Sequence, residues 1–396
     1  MTKIHKSWLV LIALCGLAAA SIGISINTSG VFYSVVSEDL GIFRGAFAFN
    51  MTIFSLVNAI AGLFVVRLFD RFPFKLVLTA SVILATLSTG LMGNSSQLWQ
   101  FYLLGALRGI STGMFSIMTL TLIINYWFSE KNGLATSIAL SFSGITGAMM
   151  SPIFAKIIVA NGWHFAYWIQ ALALFLFCVP ALVLPFQDNP LKEGRSPYGH
   201  KEVISDAGPV TSHFKVNSAY IAMIIFAVSL AFISSMVQHF PGFAESIKLD
   251  VTTGAAFLSM AMIGNIVFKL IVGFLSDVLG PIKACLVLVS ANLIAVLIFL
   301  ISSKPVMLMP AALLFGAIFG VLAVSIPLIT RQLFGLDNYG KAYPIINFAT
   351  NTGAALAFSA IGFIYDFANS YYPALILFLI LLALAMVSLV YASKKA

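Results

Sequence analysis

The sequence predicts an all-α membrane protein with twelve transmembrane helices arranged as two six-helix bundles. Of its 396 residues, 61% are hydrophobic and only 9% are charged, and the mean hydropathy is +1.04. A water-soluble fold cannot bury so large an apolar fraction, so lipid must be the solvent for most of the chain. All thirteen Asp and Glu residues fall in short breaks between apolar runs.

The apolar runs between those breaks are long enough to cross the bilayer, since a helical span needs about 20 residues. Each is expected to be helical because backbone groups in lipid must bond within their own helix. The first run is not expected to be a cleaved signal peptide, because its apolar core is too long and no small-residue cleavage site follows it. The predicted spans are 8–36, 46–66, 76–93, 98–124, 133–158, 164–186, 217–240, 252–275, 284–302, 306–330, 342–365 and 372–391.

The distribution of Lys and Arg predicts that both termini are cytoplasmic in a multi-pass protein of the cell membrane. With the N-terminus inside, fifteen of these residues fall in cytoplasmic segments and four on the opposite side. This is the asymmetry of the positive-inside rule. It explains the net charge of +8 without a nucleic-acid partner. The two remaining cations, Arg108 and Lys269, fall within spans.

A single polar segment divides the chain. Residues 187–216 contain eight charged residues and three prolines, which is typical of a solvated linker. The predicted organisation is therefore an N-terminal six-helix bundle at 1–186, a cytoplasmic linker at 187–216 and a C-terminal six-helix bundle at 217–396.

The residues that usually carry enzyme chemistry are not grouped in this sequence. Cys15, Cys178 and Cys285 lie singly in apolar spans, which supports neither a disulfide framework nor a zinc site. No Ser–His–Asp grouping, metalloprotease motif, P-loop or dinucleotide fingerprint occurs at a meaningful spacing. We therefore expect no enzymatic activity, no cofactor, no metal and no obligatory protein partner. A monomer in the lipid bilayer is the expected state.

The two halves of the sequence look related. After the second span comes "GLFVVRLFDRFPFK" (62–75), and after the eighth comes "KLIVGFLSDVLGPIK" (269–283). Aligned on Asp70 and Asp277, each segment has an acid at the helix exit, a turn-forming residue three positions later and then a lysine. In the same way, the segment 125–153, which follows the fourth span, resembles the segment 331–358, which follows the tenth. Such repeats are common in transporters and predict pseudo-symmetric bundles.

The signature G-x-x-x-D-x-x-G-x-x-K at Gly273, Asp277, Gly280 and Lys283, together with six plus six spans around a central loop, resembles the major facilitator superfamily. In that family the loop motif latches one end of the bundle during alternating access. The resemblance implies a gating role for both copies of the motif, the residues being Asp70, Arg71, Gly273, Asp277 and Lys283. The alternative is that the two acids merely cap helix ends.

Within the superfamily, "YWFSEKNGLATSIALSFSGITGAMMSPI" (126–153) and "NGWHFAYW" (161–168) resemble the monocarboxylate and oxalate–formate exchanger branch. "QHFPGFAESIKLD" (238–250) and "YGKAYPII" (339–346) point the same way. The resemblance implies that Lys269 is part of a substrate site. The chain departs from the proton-coupled carriers at Asn265 and at about Thr28, where those usually have an acid and a lysine.

Lys269 is the strongest candidate for substrate binding. An ionisable group within a span costs about 2.5–3.5 kcal/mol by insertion scales and usually marks a transport pathway. Lys269 lies eight residues before Asp277, about 12 Å along a helix. Its side chain leans toward the bilayer centre, because side chains lean toward the N-terminus of their helix. Asn265, one turn earlier, shares its face and is a second candidate.

Arg108 is the other candidate cation. Thr112, Ser116 and Thr119 share its helical face and form a polar stripe that favours a cavity over lipid. The predicted substrate-binding residues on this stripe are Arg108 and Thr112. The alternatives are snorkelling of Arg108 toward the nearer membrane face and pairing of its guanidinium group with backbone carbonyls.

With no acid inside the spans, neither cation has a neutralising partner, and an unpaired buried charge is costly. A substrate that carries the negative charge solves this problem, so the predicted cargo is a small organic anion. Arg binds a carboxylate through a bidentate fork and Lys acts as a point charge. The absence of a membrane carboxylate favours anion exchange, or symport in which Lys269 or the substrate carries the proton.

Several polar residues have two interpretations. Thr28 in the first span and Asn347 and Asn351 in the eleventh would hydrogen-bond a ligand, or would bond helix to helix. His239 would titrate near neutral pH if it were accessible, or would be a satisfied structural residue. The alternative function is a major facilitator exporter of drugs or neutral solutes. A membrane sensor without transport activity is a third possibility.

Overall fold

The computed structural model describes residues 5–199 and 217–395, and these are almost entirely helical. The helices are long and apolar enough to cross a membrane, and they agree with the twelve predicted spans. In chain order, α1 to α12 are Lys6–Asp39, Arg44–Leu63, Phe74–Met92, Leu98–Trp127, 134–161, 163–183, Ser218–Ser246, Val251–Leu279, Pro281–Ile301, Pro305–Gly335, Lys341–Ala368 and Tyr372–Lys395.

Glycines make some of the sharp turns between consecutive helices. Gly162 separates α5 from α6 with φ 81° and ψ 163°, and Gly280 separates α8 from α9 with φ 83° and ψ 154°. This region of backbone conformation is accessible essentially to glycine alone. Gly280 belongs to the predicted loop signature, so its place in the motif has a conformational cause.

Four helices depart from regular α-geometry, and they are spaced three apart in the chain. They are α1, α4, α7 and α10. Each has Gly or Ser residues at or beside the interruption, where backbone hydrogen bonding shifts to a wider or tighter turn. The irregular stretches are Ala19–Ile24 and Ser29–Phe32 in α1, 114–116 in α4, Ser235–His239 in α7, and Gly316 with Val321–Ser325 in α10.

The chain divides into two compact units. The first consists of the described residues of Met1–Gly41 and Ile53–Ile204, and the second of those of Ile42–Thr52 and Ser205–Ala396. The first nine residues of α2 thus pack with the second unit. Residues 200–216 of the predicted linker lie outside the described residues. Residues 187–199 fold against the first unit, where the Trp127 indole N–H donates to the carbonyl of Gln187 at 3.0 Å.

In the second unit α8 begins at an acidic cap and crosses α10 very closely. Asp250 accepts hydrogen bonds from Thr252 and Thr253, and these bonds lower the pKa of its carboxyl to about 2. Further along α8, Gly264 lies against the backbone of Leu313, so that a Cβ added there would be 2.0 Å from the carbonyl oxygen. Small residues therefore set the distance between these two helices.

Two alanine substitutions on α8 test this packing. Gly264→Ala should lower the free energy of unfolding by about 1–3 kcal/mol, because the new methyl group meets backbone that cannot yield without separating the helices. Gly273→Ala should raise it by about 0.5–1 kcal/mol, because no atom lies within 4 Å of the new Cβ and alanine is the better helix former. The measurement is equilibrium unfolding of the purified protein in mixed micelles. Equal effects of the two substitutions would contradict the close crossing.

Candidate functional site

The first unit buries Arg108 in its interior. Arg108 lies on α4 and is 2% exposed, so its guanidinium group does not snorkel to the membrane face. One terminal nitrogen donates to the carbonyl of Ser25 at 2.6 Å, and the group lies 5.2 Å from the centre of the Phe54 ring. Its Nε has no acceptor among the described residues. The predicted pairing with a backbone carbonyl is therefore present, and one donor remains unused.

Gln170 on α6 lies beside the same interrupted part of α1. Its amide nitrogen donates to the hydroxyl of Thr28 at 3.0 Å and lies 3.3 Å from the carbonyl of Ile24. The side chain is buried, and its Oε1 has no donor within the described residues. An unused guanidinium donor and an unused carboxamide acceptor thus lie next to consecutive carbonyls of α1, those of Ile24 and Ser25.

The two threonines predicted to bind substrate are both engaged in bonds within the protein. Thr28 donates to the carbonyl of Ile24 at 2.7 Å while accepting from Gln170. Thr112 donates to the carbonyl of Arg108 at 2.7 Å and accepts from the amide of Asn58 at 2.8 Å. These bonds orient the neighbouring carboxamides, so the immediate effect of both threonines is on Gln170 and Asn58.

The second unit has a polar stripe on α8. Asn265, Lys269 and Ser276 lie within about 40° of one another on the helix, at about 100° per residue. Asn265 and Ser276 are buried and Lys269 is half-buried. In the described residues, Lys269 has neither a hydrogen-bond acceptor nor a carboxylate partner, and Asn265 Oδ1 and Ser276 Oγ are likewise without partners. We call these three residues the α8 stripe.

The α8 stripe faces away from the exposed side of its helix. Leu270 and Phe274 are 70% and 68% exposed, and both point at least about 120° from the centre of the stripe. Large apolar side chains with such exposure on a membrane helix are suited to lipid contact. Lys269 therefore lies on the protein-facing side, as its predicted role requires.

The remaining predicted ligand-binding residues differ in accessibility. Asn347 and Asn351 on α11 are exposed, and the Asn351 amide donates to the carbonyl of Asn347 at 2.8 Å. His239 is 1% exposed. Its Nε2 lies 2.8 Å from the carbonyl of Phe358, and the hydroxyl of Tyr371 lies 3.5 Å from its Nδ1. This environment favours the structural interpretation of His239 over a proton-linked role.

Four of the predicted gating residues lie at helix ends, two at the end of the short helix Val65–Arg71, one in the last turn of α8 and one in the first turn of α9. The residues are Asp70, Arg71, Asp277 and Lys283, and the side chains of all four are exposed. Neither carboxylate has an ion pair within the described parts of the chain. Their geometry here is that of available charges at helix ends, which is compatible with a latch or with simple capping.

The sequence does not predict a buried charged cluster in the second unit, because Arg44 falls between the predicted spans 8–36 and 46–66 and is one of the four cations predicted on the outer side. Arg44 is 6% exposed, donates to Glu245 at 3.2 Å and lies 4.2 Å from the centre of the Tyr365 ring. The carboxylate of Asp366 accepts from the backbone N–H groups of Arg44 and Gly45 at 2.9 and 2.7 Å. Asp366 thereby caps the N-terminus of α2.

Tyr371 lies close to this cluster, and burial raises the pKa of its hydroxyl. No pattern in the sequence pairs Arg44 with Glu245, because they are 201 residues apart. Gln170 was also missed, although it had a signal: it is the one carboxamide in the predicted span 164–186.

Comparison with known proteins identifies relatives over most of the chain. The sequence profile of the Major Facilitator Superfamily matches residues 14–358. The uncharacterized MFS-type transporter YhjX of Escherichia coli (strain K12) is 24% identical over 335 residues, which cover 83% of this chain and 82% of that protein. The multidrug resistance protein MdtG of Salmonella heidelberg (strain SL476) is 27% identical over 374 residues, covering 85% and 84% of the two chains.

Solved structures with the same fold cover nearly the whole chain. The nucleoside transporter NupG has a TM-score of 0.75 at 13% identity and covers 99% of both chains. A bacterial homolog to the human lysosomal transporter Spinster has a TM-score of 0.74 at 14% identity, covering 100% of this chain and 98% of its own. At these identities the likeness shows the fold alone. The predicted twelve-helix major facilitator fold is confirmed.

A double-mutant cycle on Arg44→Gln and Glu245→Gln tests the buried cluster. Each single substitution should lower the free energy of unfolding by about 1.5–3 kcal/mol, because the partner is left with an unsatisfied charge. The coupling should be about 1–2 kcal/mol. The pair Lys192–Asp188, at 3.0 Å with the Lys192 side chain 43% exposed, is the control and should couple by less than about 0.5 kcal/mol. Equal coupling in the two cycles would mean that Arg44–Glu245 behaves as a surface pair.

Proposed function

This chain belongs to the Major Facilitator Superfamily, a family of membrane transporters and not of enzymes, and we propose that it carries small organic anions by alternating access. One observation carries the proposal. Two cations, Arg108 well inside α4 and Lys269 well inside α8, have no carboxylate partner in the described parts of the chain and retain unused donors. A multi-pass membrane protein that buries positive charge in this way needs an anion from outside the chain.

The free-energy cost of placing each cation in the membrane shows how much an anionic partner would contribute. A Lys or Arg at the centre of a span is unfavourable by about 2.5–3.5 kcal/mol even where snorkelling offers relief. Arg108 recovers part of this cost through the carbonyl of Ser25, whereas Lys269 recovers none through a hydrogen bond within the described residues. A carboxylate bound to either cation forms charge-assisted hydrogen bonds, which are roughly twice as strong as neutral ones.

Unused carboxamide oxygens accompany both cations. Gln170 Oε1 lies in the first unit and Asn265 Oδ1 in the second, and neither has a donor in the described residues. A buried acceptor that is left without a hydrogen bond costs about 1–3 kcal/mol. A substrate that carries a hydroxyl or a protonated carboxyl beside its carboxylate would satisfy cation and carboxamide together. We therefore favour hydroxylated or dicarboxylic anions over simple alkyl carboxylates.

The same arrangement bears on coupling. No Asp or Glu of the described residues pairs with Arg108 or Lys269, so a proton would have to travel on Lys269 or on the substrate. Exchange of one anion for another needs no such proton, and we propose exchange first and proton-linked symport second. The sequence resemblance to the monocarboxylate and oxalate–formate exchanger branch supports the same cargo.

The second candidate function is export of drugs or neutral solutes. The similarity to MdtG, whose name describes multidrug resistance, favours it. Against it stand Arg108 and Lys269, which have no carboxylate partner in the described residues and would repel the hydrophobic cations that many drug exporters carry. We further propose that the protein works as a monomer in the cell membrane with both termini cytoplasmic, and that Asp70, Arg71, Gly273, Asp277 and Lys283 act in gating.

Uptake into proteoliposomes tests the proposal. Labelled lactate, pyruvate, formate and oxalate are offered with and without a counter-anion inside, and with and without a pH gradient. Saturable transport of at least one carboxylate is expected in the native chain. Lys269→Gln and Arg108→Gln should each lower kcat/KM by about tenfold to a hundredfold, as for loss of a hydrogen bond to a charged group.

Lys156→Gln is the matched control, because Lys156 is an exposed lysine on α5 and its loss removes the same charge. It should leave kcat/KM within about twofold of the native value, as expected of an exposed charge far from substrate. Undiminished carboxylate transport in the Lys269→Gln, Arg108→Gln double variant would refute the anion site. Efflux of cationic dyes without transport of any carboxylate would establish the second candidate.

Gln170→Met tests the acceptor beside Arg108. Lactate and propionate differ by one hydroxyl group, so the ratio of their KM values isolates the contribution of that group. The native chain should prefer lactate, and Gln170→Met should reduce this preference by about fivefold or more, as expected for a lost hydrogen bond. A variant that raises both KM values by the same factor would show that Gln170 supports the fold of the site and does not contact the hydroxyl.

A further inference from the structure

A cavity of about 290 Å³ lies in the first unit, where α1 begins and α6 ends. It has no role in the proposed carriage of anions. We call it the Lys6 pocket. It is lined by Lys6, Leu9, Val10, Leu184, Pro185, Phe186 and Arg195. Two cations and five apolar residues thus form one wall, which suits a ligand that is both charged and apolar.

The polar end of the Lys6 pocket has an excess of positive charge. Lys6 lies 2.5 Å and Arg195 3.5 Å from the same carboxylate oxygen of Glu193. Lys75 lies 4.2 Å from the centre of the Phe186 ring and donates to the carbonyls that end α6. Lys6 and Arg195 therefore share one carboxylate, which leaves net positive charge for a ligand, and Lys75 adds to it from beside Phe186.

Glu193 is itself fixed in this position. Its other oxygen accepts from the backbone N–H of Gln187 at 2.6 Å. The carboxylate is thus held by the folded segment that follows α6, and it orients Lys6 and Arg195 toward the pocket. Arg195 is 56% exposed along its side chain, so a ligand can approach it without displacing Glu193.

The apolar end continues onto the outer surface of the helices. Leu9 is 43% exposed, and Ile12, one turn further along α1, is 57% exposed. Val183 at the end of α6 is 73% exposed. A strip of apolar surface thus leads away from the cations along the direction in which α1 enters the membrane. A charged end at the membrane boundary with an apolar strip below it matches the shape of a phospholipid.

We propose that the Lys6 pocket binds one anionic phospholipid. Its phosphate lies between Lys6 and Arg195, and its acyl chain lies along Leu9, Ile12 and Val183. Basic residues at the cytoplasmic boundary attract anionic lipid headgroups, and an apolar strip adds the burial that a free phosphate ion lacks. The lipid holds the start of α1 against the end of α6. It is a structural lipid of the transporter and not its substrate.

Native mass spectrometry of the full-length, delipidated protein tests the proposal with dioleoyl phosphatidylglycerol as the probe. The first bound molecule should be at least about tenfold tighter than the first molecule of dioleoyl phosphatidylcholine. Arg195→Gln, which leaves the Lys6–Glu193 pair in place, should weaken that first phosphatidylglycerol by about fivefold, and adding Lys6→Gln should abolish the preference for the anionic lipid. Unfolding temperature without lipid confirms that each variant is folded.

The matched control is the Lys394→Gln, Lys395→Gln double variant, which removes two exposed cations at the end of α12. It should leave the first phosphatidylglycerol within about twofold of native, as expected if only charges in the pocket contact the headgroup. Equal weakening by the control would show general electrostatic attraction and overturn the pocket. Displacement of the lipid by millimolar inorganic phosphate would also overturn it, because the site would then bind the ion alone.

Discussion

A cation inside a membrane span must have a partner, and this one constraint governs the interior of the protein. Arg108 and Lys269 occupy spans in which no carboxylate pairs with them within residues 5–199 and 217–395. Water cannot supply the missing partner in the hydrocarbon region without a cavity, and lipid cannot supply it at all. A transporter resolves the conflict when its substrate brings the charge. Under the proposed function, the negative charge of the cargo follows from the positive charge of these two residues.

The interruption of α1 gives the buried side chains of Arg108 and Gln170 their setting. A regular helix uses its own carbonyls, whereas an interrupted one makes them available to side chains. The carbonyls of Ile24 and Ser25 are the clearest case, since they accept from Gln170 and Arg108. The irregular backbone thus bonds one side of Arg108 and of Gln170, while Arg108 Nε and Gln170 Oε1 have no partner in the described residues.

Much of the fold could be predicted from the sequence because lipid imposes a simple rule on it. Apolar length gave the twelve spans, and the turn at Gly280 followed from the loop signature. The contacts of the site could not be predicted to the same extent. Helical periodicity placed Asn265 and Lys269 on one face, but it could not show that Thr112 is already engaged by Asn58.

Contacts between residues far apart in the chain also could not be predicted from the sequence. Arg44 looked like a loop cation because its partners, Glu245 and Asp366, lie far away in the chain. The interruptions of the four helices were also invisible to a hydropathy pattern, since glycine and serine occur in regular membrane helices too. Gln170 gave a signal as a lone carboxamide in an apolar run. Its contact with the carbonyl of Ile24 could not be predicted, because the two residues lie far apart in the chain.

Charge complementarity between cation and cargo can be measured directly by ligand-induced stabilisation. The unfolding temperature of the purified full-length chain is recorded against concentration for each of lactate, pyruvate, formate and oxalate, and for the neutral amide of the same acid, at matched ionic strength. Binding to the folded state alone raises stability in proportion to the logarithm of one plus the ratio of ligand concentration to Kd. At least one carboxylate should raise the unfolding temperature saturably while its amide leaves it unchanged. Equal stabilisation by acid and amide, or stabilisation by none of the four acids, would contradict the account.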